Sequence, residues 1–126
     1  MIKEEIMKNF FQGYGMVSNT PKITKTPKGN TVCNFHLKIR EDKADGSTKY
    51  IIVPVEAWNK VAEEFFEKAK RGTFVAVIDG KLKRKFFRTE KNSLSYIHDG
   101  LCIVARKIEI LEEEEIEEYD EDEEDC

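Results

Sequence analysis

The sequence predicts an all-β domain, a small β-barrel carrying one helix, and three observations lead there. Several short segments alternate apolar and polar residues with a period of two, a single segment switches to a helical period, and turn-forming residues separate them at short intervals. Of the 126 residues, roughly 110 suit one small domain, with a core large enough to fold alone.

Taken in order, a first strand is expected around Asn9 to Val17. A loop holding Lys22, Lys25 and Lys28 leads to Thr31 to Ile39, where Cys33, Phe35, Leu37 and Ile39 fall on one face and Asn34, His36 and Lys38 on the other. A turn rich in Lys, Asp and Gly, Glu41 to Ser47, returns the chain into a third strand, Tyr50 to Trp58. There Ile51, Val53, Val55 and Ala57 form the buried face, and Tyr50, Ile52, Glu56 and Trp58 share the opposite one. Pro54 cannot donate to a ladder, so an edge or a bulge is expected at that point. Between Asn59 and Lys70 the period changes: Val61, Ala62, Phe65, Phe66 and Ala69 line one side of a helix, with Gly72 placed as its C-terminal cap. Phe74 to Ile78 is a fourth strand that continues as a basic arm, Gly80 to Arg88; a polar tip, Thr89 to Ser95, turns it back into Tyr96 and a closing strand, Leu101 to Leu111. Five strands with the helix between the third and fourth match the Greek-key barrel called the OB-fold, an order that other small α+β folds can share.

Charge divides the chain. Residues 1–111 carry 21 Lys and Arg against 13 Asp and Glu, a balance of +8, while residues 112–126 hold twelve acids and no base. The net charge of −4 conceals a basic body and an acidic segment. A basic body suits a polyanion, and a terminal acidic run is the usual form of a flexible interaction tail or of a plain solubilising one. The expected division is therefore a binding domain over 1–111 and a tail over 112–126.

Other chemistries lack their residues. Cys33, Cys102 and Cys126 are odd in number and far apart, with no paired-Cys spacing, and Cys33 and Cys102 read as small core residues. Together with only two histidines, His36 and His98, this argues against a metal site and a cofactor. No phosphate loop, nucleophile elbow or metal-binding motif is present, so an enzyme is not expected. No apolar run reaches eighteen residues, and Met1 to Lys8 lacks a signal-peptide core; the expectation is a cytoplasmic protein with no membrane partner.

The residues also resemble a known family. Asn9-x5-Gly15-x-Val17-x3-Pro21-x5-Pro27-x-Gly29-x2-Val32-Cys33-Asn34-Phe35-x-Leu37 resembles the opening of bacterial-type single-stranded DNA-binding proteins. Ala57-Trp58-Asn59-Lys60-Val61-Ala62-Glu63 is similar to that family's aromatic-Gly-Lys-Leu-Ala-Glu start of the helix. Lys70-Arg71-Gly72-Thr73, Val75-Ala76-Val77 and Gly80-Lys81-Leu82 look like its next strand and the base of its long hairpin. The resemblance spans about residues 9–111. It implies a non-catalytic, sequence-non-specific binder of single-stranded DNA in replication, recombination and repair, assembled as a homo-oligomer, either a tetramer or a dimer. The alternative from the residues alone is an RNA-binding or protein-interaction OB module.

Unpaired nucleic acid exposes phosphates and unstacked bases together, so its binder needs cations along a groove and flat rings beside them. The candidate stacking rings are Tyr50, Trp58, Phe86, Phe87 and Tyr96. Adjacent strand residues point to opposite sides, so at most one of Phe86 and Phe87 enters the core; the resemblance favours Phe87 as the stacking ring. Trp58 could instead pack over the helix start. The family's aromatic lies nearer Trp58 than Tyr50 does, so either a bulge intervenes or Ile52 replaces the ring. Candidate phosphate contacts are Lys22, Lys25, Lys28, Lys38, Lys81, Lys83, Arg84, Lys85, Arg88 and Lys91, with Asn34 and His36 as polar groove residues, although His36 equally suits an ordinary surface position. The related tails end in an acidic-Pro-Phe tip that docks replication and repair proteins. This one ends Glu124-Asp125-Cys126 and lacks the Gly, Pro and Gln linker, which marks a divergent or phage-type member and weakens the case for those partners. As a tethered polyanion, it is expected to compete for the basic groove.

Overall fold

The computed structural model describes residues 3–91 and 94–112; the side chains of Lys3 and of 86–91 and 94–99 lie outside that description. After a short 3-10 turn, Lys3–Ile6, come β1 (Phe11–Val17), β2 (Lys22–Lys25), β3 (Thr31–Asp42), β4 (Thr48–Trp58), α1 (Asn59–Lys68), β5 (Phe74–Lys91) and β6 (Leu94–Ile110). The sheet runs β1-β5-β6-β4-β3-β2, and a further β1–β3 pairing closes β1 back onto β3. Five strands thus close a barrel with α1 between β4 and β5, as an OB-fold requires, and β2 attaches to the outer edge of β3. All pairings are antiparallel except β4–β6, which is parallel and spans only Val55–Ile103 to Ala57–Ala105.

Alternation fills the interior. Cys33, Phe35 and Leu37 of β3, Val55 and Ala57 of β4, Val75 and Val77 of β5, and Ile103 and Ala105 of β6 form one buried cluster with Val17. Ala62 and Phe65 of α1, with Ala69 just beyond it, plug one end, and Phe65 stacks on Phe35 with ring centroids 4.2 Å apart. Apolar burial of this kind is the main force holding so small a barrel. Barrel closure also depends on Gly15: a Cβ there would stand 2.5 Å from the Lys38 carbonyl oxygen, so only glycine lets β1 meet β3.

Several sequence expectations need correction. Lys22 and Lys25 belong to a strand, β2, not a loop; a four-residue edge strand with no buried side chain leaves no alternating signal to read. The helix stops at Lys68, and Ala69, extended at φ −93°, caps it through its N–H to the Phe65 carbonyl. Gly72, at φ +96°, instead serves the turn in which the Thr73 N–H bonds to the Lys70 carbonyl. Phe66, expected on the buried side, is exposed, and Ile51 is exposed because β4 runs beyond the barrel. At Pro54 the β3–β4 register is unbroken, so there is no bulge. The β4–β6 ladder begins only at Val55, and the missing N–H of Pro54 falls on a locally free edge.

Two asparagines make the joints. Asn59 has φ +52°, which asparagine tolerates better than most residues, and its Oδ1 accepts from the Thr31 N–H at 3.1 Å, tying the start of α1 to β3. The family motif has glycine at that place, the other residue suited to a left-handed backbone. Asn9 acts as a side-chain rung: its Nδ2 donates to the Leu82 carbonyl at 2.8 Å, and its Oδ1 accepts from the Leu82 N–H at 2.7 Å. This clasp holds the base of the β5–β6 arm.

Candidate nucleic-acid interface

The outer face of the β3–β4–β6–β5 sheet gathers most of the described candidate residues. Residues paired directly across an antiparallel ladder share a face. On β3 and β4 the register sets Asn34 opposite Glu56, His36 opposite Pro54, Lys38 opposite Ile52 and Arg40 opposite Tyr50. On β5, Lys81, Lys83 and Lys85 pair with Val104, Cys102 and Gly100, and Val104 adjoins Glu56 through the parallel seam. Lys22 of β2 pairs with Asn34 and adds a cation at the margin.

Side-chain contacts confirm that the strands deliver these groups to one place. Lys85 reaches across β6 to donate from Nζ to Asn34 Oδ1 at 3.2 Å and to Glu56 Oε2 at 3.2 Å. Lys83 Nζ donates to Glu56 Oε1 at 2.9 Å and lies 5.4 Å from the centroid of the Trp58 ring. Trp58, half-buried at the last position of β4, donates its Nε1–H to the same Glu56 oxygen at 2.9 Å. At the far end of β4, Tyr50 is 61% exposed and carries Lys38 Nζ 4.4 Å above its ring. Both described rings are therefore paired with an ammonium, an arrangement favoured by the negative face of an aromatic ring.

Glu56 is the residue that sequence reading passed over as a binding-face group. It is only 3% exposed, an unusual state for a carboxylate. Burial alone would push its proton affinity up; hydrogen bonds from Lys83, Trp58 and Lys85 outweigh burial and hold the carboxyl below the ordinary range. The only hint in the sequence was its parity with Tyr50 and Trp58, which set an acid among residues otherwise aromatic or apolar. Cys102 is buried, as the sequence reading expected of a small core residue, but it lies outside the barrel cluster and pairs with Lys83, and burial reinforced by Glu56 raises its thiol. Cys33 does lie in the core, where burial pushes it to about 11.

Other candidates stand apart. Lys25 pairs with Thr31 and donates to its hydroxyl at 2.7 Å, and Lys28 is exposed in the Thr26–Asn30 turn. Arg84 pairs with Leu101 and so falls on the opposite face of the arm from Lys83 and Lys85. His36 is exposed on the outer face, and Asn34 is half-buried within it. Because the register is unbroken, Ile52, opposite Lys38, occupies the place two residues nearer Trp58. In the arm, Phe86, Phe87, Arg88, Lys91 and Tyr96 pair with Asp99, His98, Ile97, Leu94 and Thr89, and their side chains lie outside the described residues, as does the tail beyond Glu112. A groove between α1 and β6, floored by Val61, Phe65, Ile108 and Ile110, has mixed charge and none of the candidate residues. Among the described residues, no cluster of His, Cys, Asp and Glu could hold a metal ion, and no helix is long and apolar enough to cross a membrane.

A closed five-stranded barrel with one helix, whose outer face carries rings and lysines, defines an OB-fold protein. The chain belongs to the single-strand binding protein family, whose model matches residues 9–111. It is 27% identical over 101 residues to single-stranded DNA-binding protein 1 of Clostridium acetobutylicum, covering 78% of this chain and 88% of that protein. It also superposes on the crystal structure of wild-type single-stranded DNA binding protein from Thermus aquaticus with a TM-score of 0.66 at 18% identity, over 84% of this chain. The matched part is about half, 51%, of the Thermus chain.

Proposed function

We propose that this protein binds single-stranded DNA without sequence specificity and keeps it unpaired and protected during replication, recombination or repair. The carrying observation is the array on the outer sheet, where Lys38 lies over Tyr50 and Lys83 over Trp58. Such ring and cation pairs suit exchange: a base takes the ring face, and the displaced ammonium turns to the adjoining phosphate. Stacking of this kind tolerates any base. Lys22, Lys81 and Lys85 extend the cationic track, and continuing the alternation from Lys83 and Lys85 gives Phe87 the same parity.

One barrel covers on the order of 4 to 16 nucleotides, so a homo-oligomer would supply the avidity long strands need. The acidic segment 112–126 acts as an internal competitor for the same track or docks partner proteins, in a cytoplasmic setting. Titrating Trp58 fluorescence with oligo-dT and with duplex DNA, each at two salt concentrations, tests the reading. Quenching by oligo-dT alone is expected, with a log–log salt slope of about −4 for five or six phosphate contacts. Equal response to duplex, or none to oligo-dT, overturns it, and tighter binding of matched oligo-U would transfer the function to RNA.

A further inference from the structure

We propose that Glu56 is a built-in counter-anion that sets how much positive charge the face offers to a strand. The inference rests on the single-strand reading above. In a binder of polyanions, a carboxylate at the centre of the contact face works against the ligand, yet here one is almost fully buried between two arm lysines, Lys83 and Lys85. Lys83 meets one of its oxygens and Lys85 the other. Two ammoniums and one carboxylate leave a local charge of +1.

The geometry shows how this tempers binding without blocking it. Lys83 and Lys85 both donate to Glu56, yet their side chains remain 45% and 32% accessible. Both can still touch a phosphate, but part of the charge that would release counterions is already cancelled within the protein. The face consequently leans on stacking more than its lysine count implies, and its affinity falls less steeply with salt.

Glu56→Gln isolates the charge, because the amide oxygen can still accept the Trp58 N–H. The variant, checked for folding by thermal unfolding, is expected to bind oligo-dT several-fold more tightly than wild type at low salt. Its salt slope should be steeper by ~0.7 to ~1.4, and its advantage should shrink as salt rises. Equal or weaker binding at every salt with an unchanged slope would overturn the proposal and leave Glu56 as a residue that merely positions its neighbours. A second comparison avoids the buried site: Lys83→Gln should flatten the slope less than Lys38→Gln, since Lys83 is already partly neutralised and Lys38 lies over a neutral ring. Equal flattening by the two also counts against the counter-anion. Should wild type itself give no oligo-dT titration, the functional reading fails and this inference fails with it; a wild type that binds with unaltered variants sinks only the inference.

Discussion

At the scale of single residues, the site is governed by what Trp58, Tyr50 and Glu56 touch. Replacing Trp58 or Tyr50 by alanine is expected to weaken oligo-dT binding by about 1–3 kcal/mol with the oligomeric mass unchanged, read by titration alongside light scattering. A fall in mass at unchanged affinity would make these rings an interface. Glu56 gives a pH signature. Its folded proton affinity lies below the ordinary value of 4.5, so the stability it contributes is complete above about that pH and disappears as pH falls through the lower, folded value. Wild type should therefore be more stable than Glu56→Gln near neutrality, with the difference closing below about pH 4, measured as urea midpoints across pH. In the core, Phe35→Ala removes a ring stacked on Phe65 and should cost about 3–5 kcal/mol of unfolding free energy. The outward parity of Tyr50 and Trp58 was readable from alternation alone. The burial of Glu56 was not, since it depends on lysines from β5 reaching over β6, a relation between strands that no local pattern records.

At the scale of elements, what could be read depended on amphipathicity. β3, β4 and α1 each have one apolar face, and the period identified them; β2 has none and escaped notice. The helix end was displaced because an extended Ala69, with no special sequence signature, caps α1 while the glycine serves the next turn. The unbroken β3–β4 register likewise removes any bulge that would have brought Tyr50 into the family's aromatic position. The long β5–β6 hairpin leans on the Asn9 clasp at Leu82. Asn9→Ala removes both bonds, and the Leu82 amide should then exchange faster in a hydrogen-exchange experiment while the core amides of Val75 and Val77 keep their protection. Unchanged exchange at Leu82 would mean that the ladder alone holds the arm.

At the scale of the whole molecule, the barrel closes at two narrow places. Gly15→Ala drives a methyl group into the Lys38 carbonyl, and loss of several kcal/mol, or failure to fold, is expected in thermal unfolding. The charge division operates at this scale too. Deleting residues 112–126 should raise affinity for oligo-dT, most at low salt where the screening length is about 10 Å or more, and a truncated protein that binds no more tightly there would rule out the tail as a competitor. That the body is basic despite an acidic whole was legible from composition once the two blocks were separated, and so was the closing strand; its parallel pairing with β4 was not, because it joins segments far apart along the chain. Val55 and Ile103, the first rung of the parallel seam, are 48 residues apart, and only three rungs join β4 to β6. Closing a loop of this length costs entropy that three rungs repay only once all are made, and the seam is expected to form late in folding. Conservative substitutions at Val55 or Ala105 would then leave the rate of folding nearly untouched while hastening the loss of the native state, making these few rungs the fuse that sets its lifetime.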